Sequence, residues 1–153
     1  MAVYLVQHGI AASADVDPQR GLNDEGRSDV ERIAQVAAGY NVHVEAIWHS
    51  GKTRAVQTAE IFAQHLKPAS GIEKKDGMNP NDAVDKIAVH LKPESEIMLV
   101  GHLPFMEKLA SYLVTGESEL LIFKAQNGGI LCLDQGANTQ RWFIKWGLMP
   151  HIS

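Results

Sequence analysis

A three-layer α/β/α architecture with a mainly parallel central sheet and antiparallel edge strands is the fold class this sequence predicts. Two observations carry it. Short apolar runs, Val3-Tyr4-Leu5-Val6 and Ile97-Met98-Leu99-Val100, read as buried strands, and between them lie longer segments with apolar residues at helical spacing. Both runs also lead into a histidine beside glycine, as Gln7-His8-Gly9 and as Gly101-His102-Leu103-Pro104. In open α/β sheets the carboxyl ends of the strands border the ligand crevice, and a glycine there lets backbone approach a ligand because no Cβ intervenes. Two imidazoles at one sheet edge point to a catalytic pocket.

The elements follow in order. After the first strand a loop, His8 to Leu22, leads to a helix that starts near Asn23, an N-cap residue followed by Asp24 and Glu25 in the first turn. Val30, Ile33, Ala34 and Ala37 form its apolar face, and Gly39 is placed to stop it at C′. Val44 to Trp48 reads as a second strand. Ser50 is placed to cap a second helix with the face Ala55, Ala59, Phe62, Ala63 and Leu66, ended by Pro68. Asn79-Pro80 reads as N-cap plus proline at N1, opening a helix faced by Val84, Ile87, Ala88 and Leu91. The strand Glu96 to Val100 and a helix from Pro104 to Val114 come next. Leu120 to Phe123, Gly129 to Leu133 and Trp142 to Trp146 read as short strands, the last two joined by the hairpin-like Asp134-Gln135-Gly136-Ala137-Asn138.

Composition bounds the function. The 153 residues suit one domain over residues 1–153, and 45% hydrophobic with 21% charged residues is ordinary for a globular protein. A formal net charge of −4 argues against a nucleic-acid partner. Cys132, the one cysteine, has no disulfide or metal-site partner and reads as an inert thiol among Ile130, Leu131 and Leu133. Val3 to Val6 is too short for a signal peptide, and no stretch reaches the ~20 apolar residues of a membrane span. A soluble cytoplasmic protein without membrane partners is the expectation.

The second strand delivers a further group to the same edge. It runs into His49-Ser50-Gly51-Lys52-Thr53-Arg54, so Arg54 falls in the first turns of a helix that starts there. A guanidinium beside free helix N–H groups is suited to an anion. With two histidines it meets the needs of phosphoryl chemistry, in which one imidazole attacks and cationic donors hold the charged oxygens.

Four segments carry a family resemblance. Gln7-His8-Gly9 resembles the Arg-His-Gly signature of the histidine phosphatase superfamily, and Ser50 to Ala59 resembles its Ser-Pro-x-x-Arg-Ala-x-Gln-Thr-Ala segment. Gly101-His102-Leu103-Pro104 resembles its second-histidine motif, and Leu22-Asn23-Asp24-Glu25-Gly26 resembles its Leu-Thr-x-x-Gly helix start. The compact size is most similar to the SixA-type phosphohistidine phosphatase branch. The resemblance implies the phosphoglycerate mutase-like fold of that superfamily. It implies His8 as a transiently phosphorylated nucleophile, Arg54 and His102 as holders of the phosphoryl oxygens, and Gln7, Gly9 and Leu103 at the phosphate. No cofactor or metal is implied. The implied partner is a phosphohistidine-bearing protein such as a histidine-containing phosphotransfer domain, with phosphate as the product; the sequence leaves the oligomeric state open, with a monomer as the expectation.

Two departures matter. Gln7 replaces the signature arginine and offers a neutral hydrogen bond without a charge or a bidentate fork. Losing the charge-assisted share, about 1.4 kcal/mol, would slow turnover about tenfold. Ser50 is followed by Gly51 rather than proline, a mild change at a helix start. For a general acid the candidate is Asp82, placed just inside the helix opened at Asn79-Pro80. A helix N-terminus lowers a carboxylate's pKa, which disfavours the acid form. A phosphoramidate has less need of that acid than an ester. Two rivals stand beside a phosphohistidine phosphatase: a non-catalytic phospho-ligand binding module, and a phosphatase for small phosphate monoesters.

Other features read blandly. Ser50-Gly51-Lys52-Thr53 imitates the end of a P-loop, but Ala46 stands where that motif needs glycine. Lys52 is a solvated lysine or a pocket-rim cation. His43, His65, His90 and His151 read as surface or element-end residues, and His49 either ends its strand or joins the site. Trp142, Phe143 and Trp146 read as packing. Arg20 and Arg27 read as surface arginines, although either has the charge that Gln7 lacks.

Overall fold

Successive residues of the first strand enter different cores, as the two-residue period of an extended chain requires. The computed structural model describes residues 1–152. Its elements run β1 (Val3–Gln7), α1 (Asp24–Gly39), β2 (Ala46–His49), α2 (Thr53–Leu66), β3 (Ile72–Lys74), α3 (Asp85–Ala88), β4 (Ile97–Gly101), α4 (Phe105–Thr115), β5 (Ile130–Gln135) and β6 (Trp142–Leu148). A 3-10 turn at Pro93–Ser95 precedes β4. Tyr4 and Val6 face the core covered by α1 and α2, where Val30, Ile33, Ala34, Ala55, Ala59 and Phe62 are buried. Val3 and Leu5 face the core covered by α3 and α4, with Ile87, Phe105, Met106, Leu109 and Ala110. Phe62 and Phe105 are both fully buried, each contributing about 1.5–3 kcal/mol through the hydrophobic effect. The predicted three layers are present.

The sheet is six-stranded, ordered β3-β2-β4-β1-β5-β6. β1–β4, β2–β4 and β2–β3 are parallel, while β5 joins β1 and β6 antiparallel. Because Gln7 pairs with Gly101 and His49 with Val100, the chain leaves β1, β2 and β4 side by side at one edge. The segment after β1 then lies directly on α1. A Cβ added at Gly26 would sit 2.1 Å from the Ile10 carbonyl oxygen, and one at Gly9 would sit 2.8 Å from Val30 Cγ2. No helix among the described residues is long and apolar enough to cross a membrane.

Four local expectations are corrected. The helix expected from Asn79-Pro80 does not form: the segment is a turn, in which the Asp82 N–H donates to Asn79 O at 3.1 Å and the Asp82 carboxylate accepts the Asn79 N–H at 2.8 Å. Only Asp85–Ala88 is helical there, yet Val84, Ile87 and Leu91 are buried as their spacing required. Leu120 to Phe123 forms no strand; the sheet's interior pairings are filled by other strands, and Leu120 and Leu121 stay exposed. Gly39 does not stop α1. Asn41 does so in a left-handed conformation, with Val42 N–H donating to Ala37 O and Asn41 N–H to Ala38 O. The N-cap of α2 is Lys52 rather than Ser50. Strand β3 was not predicted, since its three exposed residues carry no apolar alternation.

Candidate active site

His8 is the first residue beyond β1, and its ring is fixed at both nitrogens. Nδ1 lies 2.7 Å from the Gly9 carbonyl, an acceptor only, so Nδ1 carries the proton and donates. The lone pair is therefore on Nε2, where Arg54 Nε–H donates at 3.3 Å. The carbonyl of His8 itself accepts from Asn127 Nδ2 at 2.9 Å.

Helix α2 holds this arrangement from the other side. Buried Thr58 accepts the Gly9 N–H at 2.9 Å and donates its hydroxyl to the Arg54 carbonyl at 2.7 Å. One side chain thus registers the nucleophile's loop against the turn that carries the arginine. Gln57 adds a second tie by accepting the Leu22 N–H at 2.7 Å.

His102 follows β4 and brings its ring centroid to 5.1 Å from that of His8. Its Nε2 is hydrogen-bonded to Ser50 Oγ at 2.6 Å. Its Nδ1 is buried with no hydrogen-bond partner. Ser50, expected to cap α2, instead spends its hydroxyl on His102, with Lys52 N–H donating to the same oxygen at 3.4 Å. Gly51 carries φ of 90°, a conformation closed to proline, whose ring holds φ near about −65°. The change from proline is therefore a change of backbone path and not a mild one.

Burial sets the electrostatics. His8 is lowered to about 4, first by burial and then by Arg54 and Arg20, while its bond to the Gly9 carbonyl opposes the shift. His102 is lowered to about 3 by burial, then by His8, Arg54 and Lys52. Both imidazoles are neutral at pH 7, so His8 Nε2 is an available nucleophile beside a guanidinium.

The structure thus gathers His8, Gly9, Arg54 and His102, with Gln7 and Leu103 as their immediate neighbours in the chain. Asp82 is not joined to them: its carboxylate serves the Asn79 N–H, and among the described residues it shares no hydrogen bond or ion pair with the other four. His49 ends β2, buried, with its Nδ1 accepting the Gly51 N–H at 3.1 Å. His43 and His65 pair with Glu96 and Glu31. Cys132 is buried and its thiol is pushed up to about 11, as an inert core cysteine should be. Sequence reasoning passed over three supporting residues. Thr58 had a signal, a polar residue at a buried helical position between Ala55 and Ala59. Ser50 was read only as a cap, and Asn127 lies in a loop with no periodicity. Away from the site, Glu25, Asp29 and His151 bring potential ligand atoms within 4.8 Å of one another. Asp29 there is already engaged by Arg32 at 3.3 Å and by His151 at 3.0 Å.

The model of the histidine phosphatase superfamily (branch 1) matches residues 3–79, half of the chain and the segment that carries His8 and Arg54. The chain belongs to the histidine phosphatase superfamily. Among solved structures it is similar to a protein from Agrobacterium tumefaciens assigned as the phosphohistidine phosphatase SixA, with 31% identity, 97% of each chain covered and a TM-score of 0.78. It shares its fold with the protein histidine phosphatase SixA complexed with tungstate, at 24% identity, a TM-score of 0.84, and 98% and 97% of the two chains covered. It also shares it with a phosphoserine phosphatase of Entamoeba histolytica, at 15% identity, a TM-score of 0.72 and 96% of each chain covered. No curated protein sequence matches the chain. Family and neighbours together support a phosphatase, a hydrolase, as the general class of activity.

Proposed function

We propose that this histidine phosphatase removes phosphate from phosphohistidine in a protein, through a covalent intermediate on His8 and without a metal ion. One observation carries the reading: His8 presents an unprotonated Nε2 to the Arg54 guanidinium while Nδ1 is locked to the Gly9 carbonyl. In the first step Nε2 attacks phosphorus, the new N–P bond forms, and the bond to the substrate's imidazole breaks. A substrate ring protonated at its other nitrogen leaves as neutral imidazole, so no carboxylic acid is required of the protein. Water then attacks the phosphohistidine on His8, giving orthophosphate and regenerating the imidazole. Arg54 holds the charged oxygens, and the unpartnered Nδ1 of His102 is the polar atom suited to bond one of them. Likeness to the Agrobacterium protein favours the phosphohistidine substrate over an ester.

The test is dephosphorylation of a phosphorylated histidine-containing phosphotransfer domain, followed without acid quenching, by wild type, His8→Ala and Gln7→Arg. Turnover should vanish in His8→Ala and rise in Gln7→Arg. Wild-type binding of orthophosphate or vanadate without turnover would instead establish a phospho-ligand binding module. Comparable turnover on an alkyl phosphate ester would replace the phosphohistidine reading with a small-ester phosphatase. Asp82→Asn slowing the ester alone would then identify Asp82 as its general acid.

A further inference from the structure

Gln7 leaves the nucleophile's neighbour uncharged, yet a second guanidinium stands at the end of the loop that follows His8. Arg20 is held there by a dense set of bonds. Its N–H donates to Asp17 O at 2.8 Å, and Ala12 N–H donates to Gly21 O at 2.8 Å. Gly21 N–H donates to the Asp17 carboxylate at 2.8 Å, and Leu22 N–H donates to Gln57 at 2.7 Å. Gln57 lies one turn after Arg54 on α2, so the end of this loop is tied to the helix that carries the site's arginine. Arg20 itself has φ of 52°, a left-handed backbone disfavoured for any residue with a Cβ and sustained here by its neighbours' bonds.

The side chain has donors to spare. Arg20 Nε–H donates to Ala12 O at 3.3 Å, which orients the guanidinium and leaves its two NH2 groups for a ligand. Among the described residues neither Arg20 nor Arg54 forms an ion pair with a carboxylate. Arg20's charge is nonetheless felt in the site, since after burial it helps lower both His8 and Arg54. Like charges held within reach of one another are relieved when a dianion comes between them.

We propose that Arg20 is a phosphate-binding residue of this site, its guanidinium closing on the phosphoryl oxygens and supplying the positive charge that Gln7 does not. This rests on the reading of His8, Arg54 and His102 as a phosphoryl site, and it gives the loop from His8 to Leu22 a second task beyond joining β1 to α1.

Binding of orthophosphate and of vanadate to the full chain, by titration calorimetry, tests it without needing turnover. Arg20→Gln should weaken both ligands about tenfold or more, with Arg20→Lys between it and the wild type. Gln7→Arg should recover most of that loss in the Arg20→Gln background and gain less in the wild type, since one charge would then stand in for the other. Arg141→Gln removes a cation at the β5–β6 turn, at the opposite end of the sheet, and should leave both affinities unchanged. Unfolding midpoints of each variant separate lost binding from lost folding. Orthophosphate affinity within twofold of wild type in Arg20→Gln overturns the proposal, as do equal gains from Gln7→Arg in both backgrounds. A wild type that binds neither ligand removes the phosphoryl-site reading as well, whereas a wild type that binds both, matched by Arg20→Gln, removes only the role of Arg20.

Discussion

Acid should destabilise this protein through His8, and replacing His8 with glutamine should remove much of that sensitivity. In the folded chain the imidazole titrates at about 4 instead of 6.5, chiefly because burial disfavours its charged form. A base whose folded pKa is depressed binds fewer protons in the native state than in the unfolded one. Stability is therefore complete above the unfolded pKa of 6.5 and declines as pH falls toward the folded value of about 4. The whole shift corresponds to on the order of 3 kcal/mol, and about 2.5 kcal/mol of it is gone by about pH 4.5. Urea unfolding of wild type and His8→Gln at about pH 7.5 and about pH 4.5 measures it, with the carboxylates that protonate cancelling in the comparison. Wild type should lose about 2–2.5 kcal/mol more than the variant across that interval. His102 pushes the same way, because His8 is one cause of its own lowered pKa and that cause is relieved in the variant. Losses equal to within about 0.5 kcal/mol would refute a buried neutral His8, and with it a nucleophile ready at neutral pH.

Three other outcomes are expected. The acid limb of kcat/KM, which reports the free enzyme, should fall near the His8 value of about 4 and well below the 6.5 of an ordinary histidine, measured by initial rates against the non-enzymic background. Thr58→Val keeps the shape but leaves the Gly9 N–H without its acceptor, so it should cost about 1–3 kcal/mol in denaturant unfolding and lower turnover through the displaced His8 loop. Gly51→Ala should cost about 1–2 kcal/mol because of the left-handed backbone at that position, and Gly51→Pro more, both read from unfolding curves.

The parts of this site that were legible in the sequence are those fixed by period and strand ends. Residues 3 to 6 and 97 to 100 are buried on both faces, and a continuous apolar run says so directly; the histidines that follow are then placed by parallel pairing alone. Asn23 at its cap and the α2 face through Ala55, Ala59 and Phe62 were equally readable. What failed depended on side chains choosing among local partners. Asn79 to Asp82 closes as a turn where the spacing of Val84, Ile87 and Leu91 promised a longer helix, which is confined to Asp85–Ala88. Ser50 bonded a histidine that is remote in sequence instead of the helix beside it. Asn127 reaches His8 only because β5 brings its loop back to the end of β1, a tertiary fact with no local signature.

Strand β1 lies deep in the sheet, and both of its neighbours come from the far half of the chain: Tyr4 pairs with Met98 and Val6 with Ile130. On a ribosome that adds roughly 5–20 residues per second, the strand leading to His8 emerges about 5–25 seconds before the segments that flank it. Throughout that interval Val3 to Val6 is an unpaired apolar edge, the kind of surface that captures other nascent chains. The strand that leads into the nucleophile is translated early and enclosed late, because both of its sheet neighbours lie in the far half of the chain. A destabilising change in β5 should therefore lower the yield of soluble protein.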